Sequence, residues 1–292
     1  MKTLRLGFAD TFGTAINFFT HVLGQRYEIQ RDDENPEYLI FGDGNFGNSH
    51  NRFNGKCKKI FYTGENVRPN YEECSHALTF DHENSSRHYR LPLYVLDMYC
   101  AVFEGWTDDL LQIKTENRDW EKDYDRRQFC SFVVSNPRQQ MRNAMFELMS
   151  QYKKVDSGGP VFNNIGHVLP REKLHYKVDF LDKYRFNICF ENGSYPGYVT
   201  EKILNAFQAK TLPIYWGSQT VSRDFNTKAF VNAFDFNTLQ EIVAYVTHLD
   251  SPAGKQEYLD IIEQPAFKND IPNEFTDMNN LCDWWETFVV TK

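Results

Sequence analysis

Two charged residues lie where they could bind an anion. Glu201 and Lys202 fall in the first turn of a predicted helix, which Thr200 would cap and which follows the short apolar strand 186–190. A lysine at this end of a helix is unfavourably placed for the helix dipole, whereas the free backbone amides there attract anions. The pattern therefore predicts an anion beside Lys202. The alternative is that both side chains are solvated on an ordinary strand–helix–strand unit.

Two arginines offer a second position for binding an anion. Strand 129–134 is followed by Asn136 and Pro137, a pair typical of a helix start, which places Arg138 and Arg142 in the first two turns of that helix. They could clamp an anion at the carboxyl edge of a sheet, or they could be ordinary surface arginines. Apolar residues of the same helix recur at helical spacing and predict core packing: Met141, Ala144, Met145, Leu148, Met149 and Tyr152.

A carboxylate that could take a proton follows another predicted strand, 58–63. We expect Gly64 to let the backbone turn there, so that Glu65 projects from the carboxyl end of the strand. A solvated loop glutamate is the alternative, and Glu201, or Asp81 and Glu83 nearby, could compete with Glu65 as a base.

The chain has one Asp-x-Asp string, Asp123-Tyr124-Asp125, of a kind that holds a divalent metal in some enzymes. It lies in a charged run with no strand before it, so we expect solvated surface there and no metal. The six cysteines also lack the paired spacing of a zinc site.

Strand and helix patterns alternate twice along the chain, which predicts an α/β protein with two Rossmann-like domains. The strongly charged stretch 107–127 carries no strand pattern, so we place the boundary within it. The predicted division is 1–125, 126–270 and a C-terminal helix at 271–292 that could pack back on the first domain. A glycine- and asparagine-rich segment, 42–55, is expected to be a mobile loop that either lines a binding cleft or simply connects surface elements. The predicted strands are 4–9, 27–30, 38–41, 58–63, 77–80, 129–134, 186–190, 211–216 and 230–236, and the clearest helices are 14–23, 93–103, 238–249 and 279–290.

Composition narrows the classes of function. A net charge of −8 over 292 residues argues against a nucleic-acid partner. No apolar stretch approaches the roughly 18 residues of a membrane span, so no integral membrane segment is expected. Unpaired cysteine spacing and an N-terminus broken by Asp10 favour a cytoplasmic protein without a signal peptide. Peripheral association with a membrane, or a soluble domain trimmed of an anchor, are the alternatives.

Three ordered motifs resemble one enzyme family. The segments FENGSYPGYVTEKILNAF (190–207) and PIYWGS (213–218), with FYTGEN (61–66) and FVVSNP (132–137) before Arg142, are similar to those of the α-1,3/1,4-fucosyltransferases, the family 10 glycosyltransferases. The short bacterial members are the nearest in pattern. The resemblance implies the GT-B fold, with two Rossmann-like domains facing across a cleft. The first domain would bind the acceptor and the second would bind GDP-fucose.

The resemblance also implies roles for individual residues. Arg142 and Lys202 would hold the donor diphosphate, and Glu201 would accept hydrogen bonds from hydroxyls of the ribose or the fucose. Tyr198 and Asn192 would shape the same pocket. Glu65 would be the base that faces the acceptor.

The implied reaction is an inverting α-1,3 transfer of L-fucose to GlcNAc of an N-acetyllactosamine-type glycan. It needs no cofactor and no metal, since two cations already face the diphosphate. A GT-B transferase that uses another sugar nucleotide, and an inactive sugar-binding homologue, remain as alternatives.

Overall fold

A computed structural model describes residues 1–103, 118–170, 174–267 and 278–291. They fall into two compact units: one contains 1–103 together with 278–291, and the other contains 118–267. Each unit has a parallel sheet flanked by helices. None of the described helices is long and apolar enough to span a membrane.

The first unit is built on a six-stranded parallel sheet with the order β2-β1-β3-β4-β5-β6. Its core positions are the apolar residues that define the strand patterns in the sequence. β3 and β4 run side by side, with Phe41 opposite Phe61, so their carboxyl ends lie at one edge. Its elements are β1 (Lys2–Ala9), α1 (Gly13–Gly24), β2 (Tyr27–Arg31), β3 (Tyr38–Phe41), β4 (Lys58–Tyr62), β5 (His76–Thr79), β6 (His88–Arg90) and α2 (Leu93–Phe103).

The second unit has a five-stranded parallel sheet with the order β11-β10-β9-β7-β8. Every residue of the central strand β9 is buried, as expected for a strand covered by helices on both faces. Its elements are α3 (Trp120–Arg126), β7 (Gln128–Phe132), α4 (Gln140–Tyr152), β8 (Val155–Ser157), α5 (Leu174–Leu181), β9 (Tyr184–Phe190), α6 (Glu201–Gln208), β10 (Leu212–Trp216), β11 (Val231–Asn232), α7 (Leu239–Leu249) and α8 (Lys255–Ile262).

The C-terminal segment lies with the first unit. It forms α9 (Asn279–Trp284) and continues as a π-helical turn, Trp285–Val290. Arg26 forms an ion pair with Asp283 at 2.5 Å, and Lys58 donates to the carbonyl of Val289 at 2.7 Å. Trp285 is fully buried in this contact.

The helix expected to begin at Asn136 and Pro137 begins instead at Gln140. The Asn136 side chain accepts from the backbone N–H of Arg138 at 3.0 Å and so closes a turn, while Gln139 caps the helix by accepting from Met141 N–H. The buried face of the helix also differs from the predicted one. Met141 and Tyr152, which we expected in the core, are 41% and 42% exposed, and the buried positions are Arg142, Met145, Phe146 and Met149.

The prediction that Asp123 lies on solvated surface is also wrong. Asp123 is buried and accepts from Arg118 and, at 2.7 Å, from Arg126, while the buried Tyr124 donates to the carbonyl of Leu249. Asp125 alone of the string is exposed, and it pairs with Lys255. Arginines therefore supply the positive charge beside Asp123, and residues 120–126 of the charged run form α3 in the second unit.

Smaller differences concern strand ends and the domain boundary. The strand expected over 230–236 stops after Asn232, whose side chain accepts from Phe234 N–H and starts a 3-10 turn. The boundary expected within 107–127 falls partly on 107–117, outside the described residues, and its position stays a prediction.

Candidate functional site

Both sheets share one topological feature. In each, the second strand lies on one side of the first and the third strand on the other, so the direction of winding reverses beside the first strand. Open α/β sheets bind ligands outside the carboxyl ends of the strands at this reversal. In the second unit the reversal lies between β7 and β9, and in the first unit between β1 and β3.

In the second unit a buried carboxylate follows β9 directly. Glu191 is 0% exposed, and its backbone N–H donates to the carbonyl of Trp216 at 2.8 Å. A side chain at position 217 would collide with it, since a Cβ on Gly217 would lie 2.4 Å from the Glu191 Cγ. The glycine is therefore required by this carboxylate.

The carboxylate of Glu191 organises the start of α6. Its Oε1 accepts from the Thr200 N–H at 2.8 Å, and its Oε2 accepts from the Thr200 hydroxyl at 2.6 Å and from the Lys202 Nζ at 3.0 Å. Thr200 does precede the helix as predicted, but its hydroxyl donates to Glu191 instead of capping the helix. The anion that the sequence predicts beside Lys202 is thus supplied, within the described chain, by Glu191.

Glu201 is held by two lysines. Its Oε1 lies 3.3 Å from the Nζ of Lys177 and 3.8 Å from the Nζ of Lys202. Burial would raise the pKa of Glu201, but the ammonium of Lys202 and then that of Lys177 lower it to about 2. Lys177 lies on α5, a helix that the sequence analysis did not predict, so nothing in the local pattern linked it to Glu201.

The same charges also shift the pKa values of Lys202 and Glu191. Burial would lower the pKa of Lys202, but the carboxylates of Glu191 and Glu201 raise it well above its usual value. Burial raises the pKa of Glu191, and Lys202 opposes that rise. Glu191, Glu201, Lys177 and Lys202 therefore form a cluster whose two negative and two positive charges balance; we call it the ionic cluster.

Arg142 is completely buried, so the surface alternative is wrong for it, whereas Arg138 is exposed. The Nη1 of Arg142 donates to the Asn192 Oδ1 at 2.7 Å, and the Nη2 of Arg142 donates to the carbonyl of Asn136 at 2.5 Å. Arg142 Nη1 also donates to the carbonyl of Phe190 at 3.4 Å, so Arg142 contacts the residues before and after Glu191, and Lys202 contacts the Glu191 carboxylate itself.

Tyr198 completes this part of the molecule as a buried residue of the loop before α6. The neighbouring Gly197 has φ +85°, a conformation that favours glycine, and its N–H donates to Ser218 and Thr220 hydroxyls at 2.9 Å. Four of the predicted donor-binding residues therefore lie close to one another: Arg142, Asn192, Glu201 and Lys202. Tyr198 lies in the loop that carries Asn192. The sequence analysis missed two residues of this site, Lys177 and Glu191, although Glu191 is visible in the sequence as the carboxylate directly after β9.

Glu65 lies in the first unit, after β4. Its backbone N–H donates to the Thr63 hydroxyl at 2.9 Å, and that hydroxyl donates to Asp43 Oδ2 at 2.6 Å. The backbone bends at Gly64, as we expected, and it does so without a positive φ. Gly64 is small because a Cβ there would lie 3.0 Å from the side chain of Leu93.

The described residues contain no group of three or more His, Cys, Asp or Glu side chains suited to hold a metal ion. Positive side chains of the described second unit that lie near the carboxyl end of β9 include Lys177, Lys202 and Arg142.

Comparison with known proteins places both units. Residues 5–97 match the profile of the alpha-(1,3)-fucosyltransferase FucT N-terminal domain, and residues 123–286 match that of glycosyltransferase family 10 (fucosyltransferase) C-term. The chain is 34% identical over 277 residues to alpha-(1,3)-fucosyltransferase FucT of Helicobacter pylori. That match covers 86% of this chain and 56% of the relative, so the chain spans little more than half of that protein.

Solved structures agree with these matches. An α1,3-fucosyltransferase crystal structure superimposes with a TM-score of 0.78 at 28% identity, covering 100% of this chain and 91% of the other. A crystal structure of α1,3-fucosyltransferase with GDP-fucose gives 0.74 at 28% identity, covering 99% and 91%. The resemblance indicated by the motifs and the predicted α/β fold of the GT-B class are both confirmed.

Proposed function

We propose that this chain, which belongs to glycosyltransferase family 10, transfers L-fucose from GDP-fucose to GlcNAc of an N-acetyllactosamine-type glycan with α-1,3 linkage and inversion. One observation carries the proposal. A fully buried arginine, Arg142, contacts Phe190 and Asn192 on either side of Glu191, and Lys202 contacts the Glu191 carboxylate, at the winding reversal of the second sheet. Such a position suits a diphosphate. Arg142 and Lys202 both lie within 123–286, the part of the chain that matches the family 10 profile.

Arg142 and Lys202 bind the diphosphate of the donor in this proposal. Charge-assisted contacts to phosphate oxygens are the stronger hydrogen bonds of proteins, and they also stabilise the charge that develops on the leaving group. Asn192 orients Arg142 through the 2.7 Å contact. Tyr198 packs in the loop before α6 and so shapes the pocket. Glu201, which its two lysines keep ionised, accepts hydrogen bonds from hydroxyls of GDP-fucose.

Glu191 changes what diphosphate binding requires. Lys202 already contacts the Glu191 carboxylate at 3.0 Å, so the ligand must share the ammonium with it or take its place. Because Glu191 is fully buried, it cannot be compensated by water. The proposal therefore makes donor affinity and the stability of this cluster interdependent.

Glu65 acts as the general base that removes the proton of the acceptor hydroxyl. Its position after β4, at the end of a hydrogen-bonded turn through Thr63 and Asp43, supports this role. An inverting transfer by a single displacement needs a base that takes the proton of the acceptor hydroxyl and positive charge on the leaving diphosphate.

We propose further that the reaction needs neither a cofactor nor a metal, because Arg142 and Lys202 provide the positive charge. Treatment with EDTA should then leave most activity intact. Loss of activity that Mn²⁺ or Mg²⁺ restores would contradict this. The cytoplasmic location expected from the sequence stays a prediction.

The test is product linkage analysis after incubation with GDP-fucose and N-acetyllactosamine. The proposal predicts one product, with fucose linked α-1,3 to GlcNAc and the anomeric configuration inverted. Transfer only from another sugar nucleotide would replace the donor. Absence of both transfer and donor hydrolysis would instead favour an inactive sugar-binding homologue.

A further inference from the structure

Glu191 lies in a closed position where β9 ends, beside β10 and the start of α6. It is 0% exposed, and Gly217 borders its side chain so closely that a Cβ there would collide with it. Its carboxylate accepts from the N–H and the hydroxyl of Thr200 and from the ammonium of Lys202. Of these three donors only Lys202 carries a full positive charge. The negative charge of Glu191 therefore depends on Lys202.

The charges around Glu191 do not neutralise a whole diphosphate. The ionic cluster balances, with Glu191 and Glu201 against Lys177 and Lys202, and Arg142 adds one positive charge beside it. GDP-fucose brings a negative charge on each phosphate of its diphosphate. Counted over these groups, the complex holds one excess negative charge beside a buried carboxylate, which costs free energy. Uptake of a proton removes that excess.

Among the titratable groups around this carboxylate, Glu191 itself is the best placed to accept a proton. Glu201 keeps its second lysine, at 3.3 Å, when Lys202 is drawn away. Burial raises the pKa values of Tyr215 and Cys189, which also interact with the charge of Glu191, so both hold their protons at neutral pH. Burial raises the pKa of Glu191 as well, and Lys202 is the ammonium that opposes this rise.

The neutral form of Glu191 also has a hydrogen-bond partner in place. Its Oε2 lies 2.6 Å from the hydroxyl oxygen of Thr200, which donates to it and accepts from Lys202 at 2.9 Å. Once the ammonium leaves, that oxygen can accept from a protonated Oε2, while Oε1 keeps the N–H of Thr200 at 2.8 Å. The hydroxyl hydrogen of Thr200 is then available to the ligand. The buried polar atoms of Glu191 therefore keep their partners.

We propose that Glu191 takes up a proton from the solvent when the donor diphosphate binds, as Lys202 turns from the Glu191 carboxylate to a phosphate oxygen. One O–H bond forms on Oε2 of Glu191, the proton comes from water or buffer, and no other covalent bond changes. Glu191 is thereby a positioning residue that acts through Lys202, since it holds the ammonium before the donor binds and then releases it. The inference rests on the proposed function for the donor and for the role of Lys202.

The consequence is a donor affinity that depends on pH. The complex holds one more proton than the free protein, so binding weakens as the pH rises through the interval between the pKa of Glu191 before and after the donor binds. Within that interval the affinity falls by up to about tenfold for each unit of pH. A carboxylate with a purely structural role would produce no such dependence.

The experiment is a calorimetric titration with GDP-fucose, without acceptor, in PIPES and in Tris at the same pH. The difference in observed enthalpy between these buffers, which differ in ionisation enthalpy, gives the number of protons taken up. GDP-fucose serves better than GDP, because neither of its phosphates titrates near neutral pH. The wild type should take up about one proton per donor bound, and its affinity should weaken from about pH 6.5 to about pH 8.5.

Glu191→Gln has no carboxylate to protonate, so the folded variant should take up almost no proton and bind with an affinity that is nearly independent of pH. Glu241→Gln is the matched control, since Glu241 is an exposed glutamate at the start of α7 that accepts from the N–H of Asn237 at 2.8 Å. It should keep the wild-type proton count. Lys202→Met covers the case in which Glu191→Gln does not fold. Without the ammonium Glu191 holds its proton before the donor arrives, so uptake should again be lost.

If GDP-fucose binds and is transferred but the wild type takes up no proton, the Glu191 proposal is overturned and the proposed function stands. Uptake that persists in Glu191→Gln or in Lys202→Met assigns the proton to another group and also overturns the Glu191 proposal. If the donor binds with an uptake that Glu191→Gln abolishes, and no product forms with N-acetyllactosamine, the Glu191 proposal stands and the proposed function fails. Absence of donor binding overturns both.

Discussion

The two winding reversals of this protein occupy the same place in their sheets but carry opposite kinds of chemistry. In the second unit the position is occupied by the buried Arg142 and by the ionic cluster, whose charges compensate one another around the buried Glu191. In the first unit Glu65 and Asp43 lie among hydroxyls and an exposed aromatic ring. The same strand order therefore fixes where a site lies, and the side chains after each strand decide what it can bind.

The two regions should also differ in how substitutions affect the stability of the protein. Within the ionic cluster each charge is stabilised by another, so removing one member leaves its partner buried and uncompensated. Glu65→Gln, by contrast, keeps the shape of the side chain and removes only its charge and basicity. We therefore expect that variant to act mainly on the chemical step, whereas variants of the ionic cluster should alter binding and stability together.

The largest effect is expected for Glu65→Gln, which keeps the shape of the side chain and removes its basicity. Initial rates with GDP-fucose and N-acetyllactosamine should fall by about 10²–10⁴. Asp81→Asn is the matched control, since Asp81 pairs with Arg68 at 3.1 Å and lies in the same unit. A Gln variant of near-wild-type rate, with Asp81→Asn strongly impaired, would move the base to Asp81.

A smaller effect on affinity is expected for Lys202→Met. Loss of a charge-assisted phosphate contact of about 1.5–3 kcal/mol should weaken GDP binding roughly ten- to a hundredfold in a calorimetric titration. The same variant leaves Glu191 buried without its ammonium, so the free energy of unfolding should fall by about 3–5 kcal/mol in a denaturant titration.

The double variant Lys202→Met with Glu191→Gln separates those two consequences. It removes the uncompensated carboxylate, so most of the lost unfolding free energy should return, while GDP affinity stays weak. Recovery of GDP affinity in the double variant would show that Lys202 acts only by neutralising Glu191, and the diphosphate would then be held elsewhere.

The smallest effect concerns the pH dependence of stability. The pKa of Glu201 is about 2 in the folded protein, below its ordinary value of 4.5. Glu201 therefore contributes stability that is present above pH 4.5 and is lost as the pH falls towards 2, by at most about 3 kcal/mol. The difference in unfolding free energy between wild type and Glu201→Gln should shrink from pH 6 to pH 3. An equal difference at both values would contradict the pairing with Lys177 and Lys202.

Local sequence patterns predicted most of the strands and helices, because apolar residues recur along the chain at the spacing of a strand or a helix. The strand at 38–41 and the helix at 93–103 were predicted to the residue, since their apolar spacing is regular. The short strands β6 and β8 were missed because three residues give too little periodicity. Charged helices such as α5 were missed because their partners lie far away in the sequence.

The candidate site was harder to predict because its charges meet only in three dimensions. The sequence indicated an anion beside Lys202, but Glu191 supplies it across a loop whose length and turn residues do not reveal the contact. Arg142 could be read as a surface residue because arginines are rarely buried. Its burial is accompanied by hydrogen bonds to Asn136 and Asn192, two residues outside the helix that local spacing does not connect to it.

The most direct test of the central claim is a calorimetric GDP titration of Arg142→Met and Glu65→Gln, with circular dichroism melting to verify that both variants are folded. The account assigns the diphosphate to the second unit and the base to the first. It predicts wild-type GDP affinity for Glu65→Gln and at least roughly tenfold weaker binding for a folded Arg142→Met. Unchanged affinity in Arg142→Met, or an equal loss in Glu65→Gln, would contradict it.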